Sequence, residues 1–97
     1  MDSDIYNIKK IGEHIILEPK GTHTHTLIFM HGLGDTALGF LDTFNSSMSP
    51  LPTESTKVIL LTSKRRAVTI NGGMTMPSWY DYLSFSFSGS EKIVDET

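Results

Sequence analysis

The chain has 97 residues, eight basic and eleven acidic side chains, a formal net charge of -3 and no cysteine. That length holds one small domain with a thin stability margin. The charge balance supplies no basic excess for nucleic acid, and the cysteine count excludes disulfides and thiol chemistry. The opening "MDSDIYNIKK" lacks the apolar core of a secretory leader and the arginines of a transit peptide. No window reaches the ~20 apolar residues of a membrane helix. The expectation is a soluble cytoplasmic protein with no stable membrane insertion, with residues 1–9 as an N-terminal extension, 10–88 as the domain and 89–97 as a polar acidic tail.

"HIILEP", from His14 to Pro19, predicts a strand ended by proline. "THTLIFM", from Thr24 to Met30, predicts a second, whose continuous apolar half implies burial on both faces, as in a parallel sheet. From Thr36 to Met48 apolar residues recur at three- and four-residue steps, which predicts a helix capped by Asp35 or Thr36 and ending near Ser46-Ser47. "KVILL", from Lys57 to Leu61, is the third strand and completes a βαβ unit. "AVTINGG", from Ala67 to Gly73, reads as a short extended piece closing in a turn at Asn71-Gly72. "MTMPSWYDYLSFSF", from Met74 to Phe87, has no clean period and reads as a packed aromatic loop. One helix cannot cover both faces of a parallel sheet. The elements therefore read as the opening of a larger α/β fold.

The stretch "LIFMHGLGDTALGF", from Leu27 to Phe40, puts a glycine turn between strand and helix. It supports two readings. Gly32 to Ala37 fits G-x-G-x-x-[GA], the dinucleotide fingerprint, with Lys64-Arg65-Arg66 placed to meet a 2′-phosphate. Against this, Asp35 sits where a pyrophosphate would lie, and a strand precedes the usual first strand. In the second reading the turn aims a backbone N–H into the crevice at the strand's end, as an oxyanion donor. Asp35 is no obstacle there, because the donor lies upstream of it. His31 reads as a structural histidine rather than a base. His23 and His25 share a strand face but have no third ligand nearby, so no metal is expected.

Together with "MPSWYDY", from Met76 to Tyr82, the stretch resembles the acyl-protein thioesterase, lysophospholipase and carboxylesterase family of α/β hydrolases. The matching positions are His31 to Asp35 with Thr36, Gly39 and Phe40, then Lys57 to Leu61, then Val68, Thr69, Asn71 and Gly73, then Met76 to Asp81. The resemblance implies an incomplete α/β-hydrolase fold: the first strands of a mostly parallel sheet with one βαβ unit. It implies cleavage of acyl thioesters or esters by a Ser-His-Asp triad without a cofactor, on acylated proteins or lysophospholipids. It places the oxyanion N–H on Leu33, turn support on His31, Gly32, Gly34 and Asp35, and the acyl groove beside Met76, Pro77 and Trp79. The same methionines and aromatics also suit ordinary core packing.

The sequence departs from the family in two places. No G-x-S-x-G pentad occurs, and Ser46, Ser47, Ser63 and Ser78 lack the context of a nucleophile elbow. The prolines usual after the second family strand are replaced by Thr62-Ser63-Lys64-Arg65-Arg66. The expectation is a chain inactive alone, with a non-catalytic binding remnant as the alternative and self-association through an exposed sheet edge as its consequence.

Overall fold

The computed structural model describes residues 3–83. The limits set at 88 and 89, and the Ser84 to Phe87 part of the aromatic stretch, lie outside them. The chain divides into two compact units. One holds strands β1 (Tyr6–Ile11), β2 (His14–Pro19), β3 (His25–Met30) and β4 (Thr56–Leu61) and the one-turn helix α1 (Leu41–Phe44). The other holds the turn at residues 32–35 and a hairpin of β5 (Arg65–Val68) and β6 (Met74–Pro77).

In the first unit the strand order is β1-β2-β4-β3. β1 and β2 are antiparallel, as are β2 and β4, and only β3 and β4 are parallel. The sheet is therefore mixed rather than mostly parallel over the described residues. The turn at Gly12, with φ of 60°, folds β1 straight back onto β2. β1 starts at Tyr6, inside the stretch read as an extension. Its two inward residues, Tyr6 and Ile8, are too few for the alternation to show in sequence.

One face of this sheet is a core. Tyr6, Ile8, Ile15, Leu17, Val58 and Leu60 are buried together with Ala37 and Phe44, and Leu27, Phe29, Phe40 and Leu41 pack against them. Register builds the layer, since Leu27 lies beside Val58 and Phe29 beside Leu60. Phe29 also meets Phe40 and Phe44 at ring-centroid distances of 4.6 and 5.2 Å, which seats α1 on the sheet. Thr62 fastens the end of β4. Its hydroxyl donates to the Glu13 carbonyl and accepts the Ala37 N–H, both at 2.7 Å, and its N–H donates to His14 Nδ1 at 3.1 Å.

The opposite face corrects the expectation of two-sided burial. Ile28 lies beside Ile59 and Met30 beside Leu61, yet Ile28 is 58% exposed and Met30 61%. The polar pair on that face is Glu18 and Lys57, 3.1 Å apart and still partly open to solvent, a bridge worth about 0–1 kcal/mol. The helix predicted over Thr36 to Met48 is also much shorter. A single 3-10 turn at Leu38–Phe40 runs into α1, which stops before Asn45. At the start of this segment the Thr36 hydroxyl accepts the Gly39 N–H at 3.3 Å, the capping contact expected of it. The apolar spacing was right, but Gly39 and the serines after Asn45 weaken helix propagation on both sides.

Tyr6 gives an uncommon prediction. Its ring is fully buried in the core and its hydroxyl has no hydrogen-bond partner. Burial therefore raises its pKa above the ordinary 10.0. Tyr6→Phe removes an unsatisfied polar atom without changing shape, so stability is expected to hold or rise by about 1 kcal/mol. The native tyrosine keeps its proton at a pH where the unfolded chain loses it. Stability therefore falls as pH rises above 10.0, and the variant lacks this contribution. Thermal melts of both chains at neutral and alkaline pH measure the two effects.

Candidate active site

The turn at residues 32–35 is closed by a hydrogen bond from the Asp35 N–H to the Gly32 carbonyl at 3.2 Å. Gly34, at its third position, has φ of 80°. This is the left-handed value a type II turn requires there, which a residue with a side chain rarely adopts. Such a turn uses the N–H of its fourth residue and leaves the two central amides facing outward. The Gly34 N–H donates to the Pro77 carbonyl at 2.9 Å. The Leu33 N–H makes no hydrogen bond to any described residue. Leu33 is half-buried, and its outward-facing amide sits at the tip of a turn whose neighbouring amides are already bonded.

The bracing residue belongs to the second motif. Residues 74–77, read from sequence as loop, form β6 and pair with β5, with Arg65 opposite Pro77 and Val68 opposite Met74. The link is a short turn at Thr69–Asn71 followed by Gly72 and Gly73, both with positive φ, where β-branched or bulky residues would be strained. Met76 lies between the two motifs. Its sulfur accepts from Asn71 Nδ2 at 3.5 Å and stands 3.7 Å from where a Cβ on Gly34 would be. Pro77 and Ser78 are buried, Met76 and Trp79 half-buried, and Met74 is 64% exposed. Tyr82 meets Tyr80 edge-on at 4.6 Å, and its pKa is raised first by a hydrogen bond with the Tyr80 side chain and then by burial.

Of the residues singled out in sequence, Gly32, Leu33, Gly34, Asp35, Met76, Pro77 and Trp79 fall in one unit. His31 closes the other unit's β3 and is buried at 3% exposure. Among the serines, Ser63 and Ser78 are buried. The rings of His23 and His25 hydrogen-bond Thr26 and Thr24 at 2.7 and 2.8 Å. The dinucleotide reading loses its helix: α1 is only four residues long and begins at Leu41, six residues after Asp35, too short for the macrodipole a pyrophosphate site uses. Sequence reasoning missed the Gly34 to Pro77 bond and a clamp between Thr69 and Asp81. Both are contacts between distant residues that no local pattern announces.

The glycine turn follows β3 directly in the chain, as the resemblance to α/β hydrolases leads one to expect. The phospholipase/carboxylesterase family model matches residues 11–97, and the chain belongs to that family. It is 42% identical over 69 residues to acyl-protein thioesterase 1 of Cryptococcus neoformans, an alignment covering 71% of this chain and 28% of that protein. It is 41% identical over 70 residues to acyl-protein thioesterase 1 homolog 1 of Dictyostelium discoideum, covering 72% and 30%. Among solved structures, acyl-protein thioesterase 2 of Zea mays superposes with a TM-score of 0.66 at 33% identity, covering 78% of this chain and 31% of that one. The chain therefore spans about a third or less of the length of these relatives.

Proposed function

We propose that this chain contributes the oxyanion turn to a serine hydrolase that cleaves acyl thioesters or carboxylic esters of acylated proteins or lysophospholipids in the cytoplasm. The free Leu33 amide carries the reading. In acyl cleavage the carbonyl carbon becomes tetrahedral and its oxygen takes negative charge. A donor already aimed at that oxygen lowers the barrier without reorganising. The Gly32–Asp35 bond and the Pro77 carbonyl hold the turn before substrate arrives. Met76 and Pro77 adjoin the same turn and, with Trp79 two residues further on, form the wall for the acyl chain. His31, Gly32, Gly34 and Asp35 shape the turn. No cofactor is needed for this chemistry.

Two measurements test the proposal. In a chimera, residues 27–82 of this chain replace the matching part of the maize acyl-protein thioesterase 2. Thioester turnover is expected, and a folded chimera without turnover overturns the reading. The 97-residue chain by itself is expected to show no turnover and no fluorophosphonate adduct, because its serines lack a nucleophile elbow. A single labelled serine would contradict this.

A second reading concerns association. β3 is the end strand of its sheet, and Ile28 and Met30 on it are exposed beside one another on the uncovered face. Edge strands of this kind pair with other chains unless charge or proline protects them, and neither occurs from His25 to Met30. The chain is proposed to self-associate through β3. Sedimentation velocity over a concentration series should show a rising average mass that Ile28→Lys suppresses. A concentration-independent monomer rules this out.

A further inference from the structure

The hairpin unit contains a clamp with no part in the oxyanion chemistry. Asp81 Oδ1 accepts the Thr69 N–H at 2.7 Å and Oδ2 accepts the Thr69 hydroxyl at 2.6 Å. Beside it, the Ile70 N–H donates to the Tyr82 carbonyl at 3.0 Å. Further up the segment, the Ser78 N–H donates to the Lys64 carbonyl at 3.1 Å, and the Ser78 carbonyl accepts from Arg66 Nε at 2.9 Å. β6 runs antiparallel to β5 as far as Pro77. Beyond it the bonded partners climb from Lys64 and Arg66 to Thr69 and Ile70, so the chain reverses at Ser78 and returns alongside β5. Residues 78–82 are thus a strap fastened at both ends, with Trp79 and Tyr80 between the fastenings.

Asp81 is the only acid between Ser63 and Leu83. A carboxylate accepts and never donates, so it satisfies both Thr69 donors at once, and charge-assisted bonds of this kind are the stronger ones. Thr69 opens the short turn that reverses the hairpin, and its N–H has no partner within that turn. The carboxylate therefore closes the far end of the hairpin and the strap in one contact.

We propose that Asp81 is a positioning residue: clamped on Thr69, it holds the strap and so fixes Trp79, two residues beyond the Pro77 that braces the candidate oxyanion turn. This rests on the hydrolase reading for its purpose but not for its test. Trp79 is the single tryptophan and reports the strap directly in the 97-residue chain without any acyl ligand. Asp81→Ala is expected to raise acrylamide quenching of Trp79 about twofold and to speed amide exchange at Thr69 and Ile70 at least about tenfold. The amides of Val58 and Leu60 should keep their protection. Thr69→Val, which loses one of the two bonds, should raise the quenching less, and Thr69→Ser, which keeps both, should match the parent. If Asp81→Ala fails to fold, the Thr69 pair decides. Unchanged quenching and exchange in Asp81→Ala, or equal effects of Thr69→Ser and Thr69→Val, overturn the proposal. The maize chimera reads the hydrolase assignment separately, so the two failures are distinguishable.

Discussion

Leu33→Pro is expected to lower kcat of the maize chimera by about 10²–10³, equivalent to about 2.7–4 kcal/mol of transition-state stabilisation. The substitution removes the donor hydrogen and exchanges the leucine side chain for a pyrrolidine ring. Proline at the second position of a type II turn is favoured, since its fixed φ suits that position. The bond that closes the turn joins Asp35 to Gly32, and the brace joins Gly34 to Pro77. None of these four groups belongs to residue 33. Gly32, which would precede the new proline, has no Cβ to clash with its ring. The melting temperature should therefore hold, and Leu33→Ala, which truncates the side chain but keeps the amide, is the control that should retain kcat. An interaction made only in the transition state leaves KM nearly unchanged. A proline chimera that folds and keeps kcat within about twofold would remove Leu33 from the oxyanion site.

Leu60→Ala is expected to cost about 2–5 kcal/mol, the range for emptying a fully buried leucine site. Leu60 has no exposed surface and lies on β4, with Ile15 beside it on one side and Phe29 on the other. Nothing in that layer collapses easily, because each neighbour is held by a strand. Against a typical total of about 5–15 kcal/mol, and in a chain this small, the loss should lower the melting temperature by more than about 10 °C or abolish the cooperative transition. Ile28→Ala, on the same sheet but the uncovered face, should change stability by no more than about 0.5 kcal/mol. Equal losses for the two variants would show that the two faces are not differently packed. Melting curves at one protein concentration measure both, since self-association would otherwise shift the midpoint.

The strands β2, β3 and β4 were legible because β-branched and aromatic runs bounded by glycine and proline have few other uses. "HIILEP" coincides with β2 residue for residue. The turn at residues 32–35 was legible for the same reason: a glycine is required where φ is positive. The helix was overstated because periodicity says which residues share a face and not how long the backbone stays helical. β6 was missed because residues 74–77 become a strand only by pairing with β5.

By itself the amino-acid sequence determined the family, the place of the glycine turn and the residues able to face a core, since these follow from side-chain chemistry and local backbone freedom. The tertiary structure decided which apolar face is covered, that the Leu33 amide is left unclaimed while its neighbour is bound to Pro77, and that Asp81 closes on Thr69. These are pairings between distant residues. The geometry that joins them exists only after the intervening chain has folded, so no local pattern encodes it.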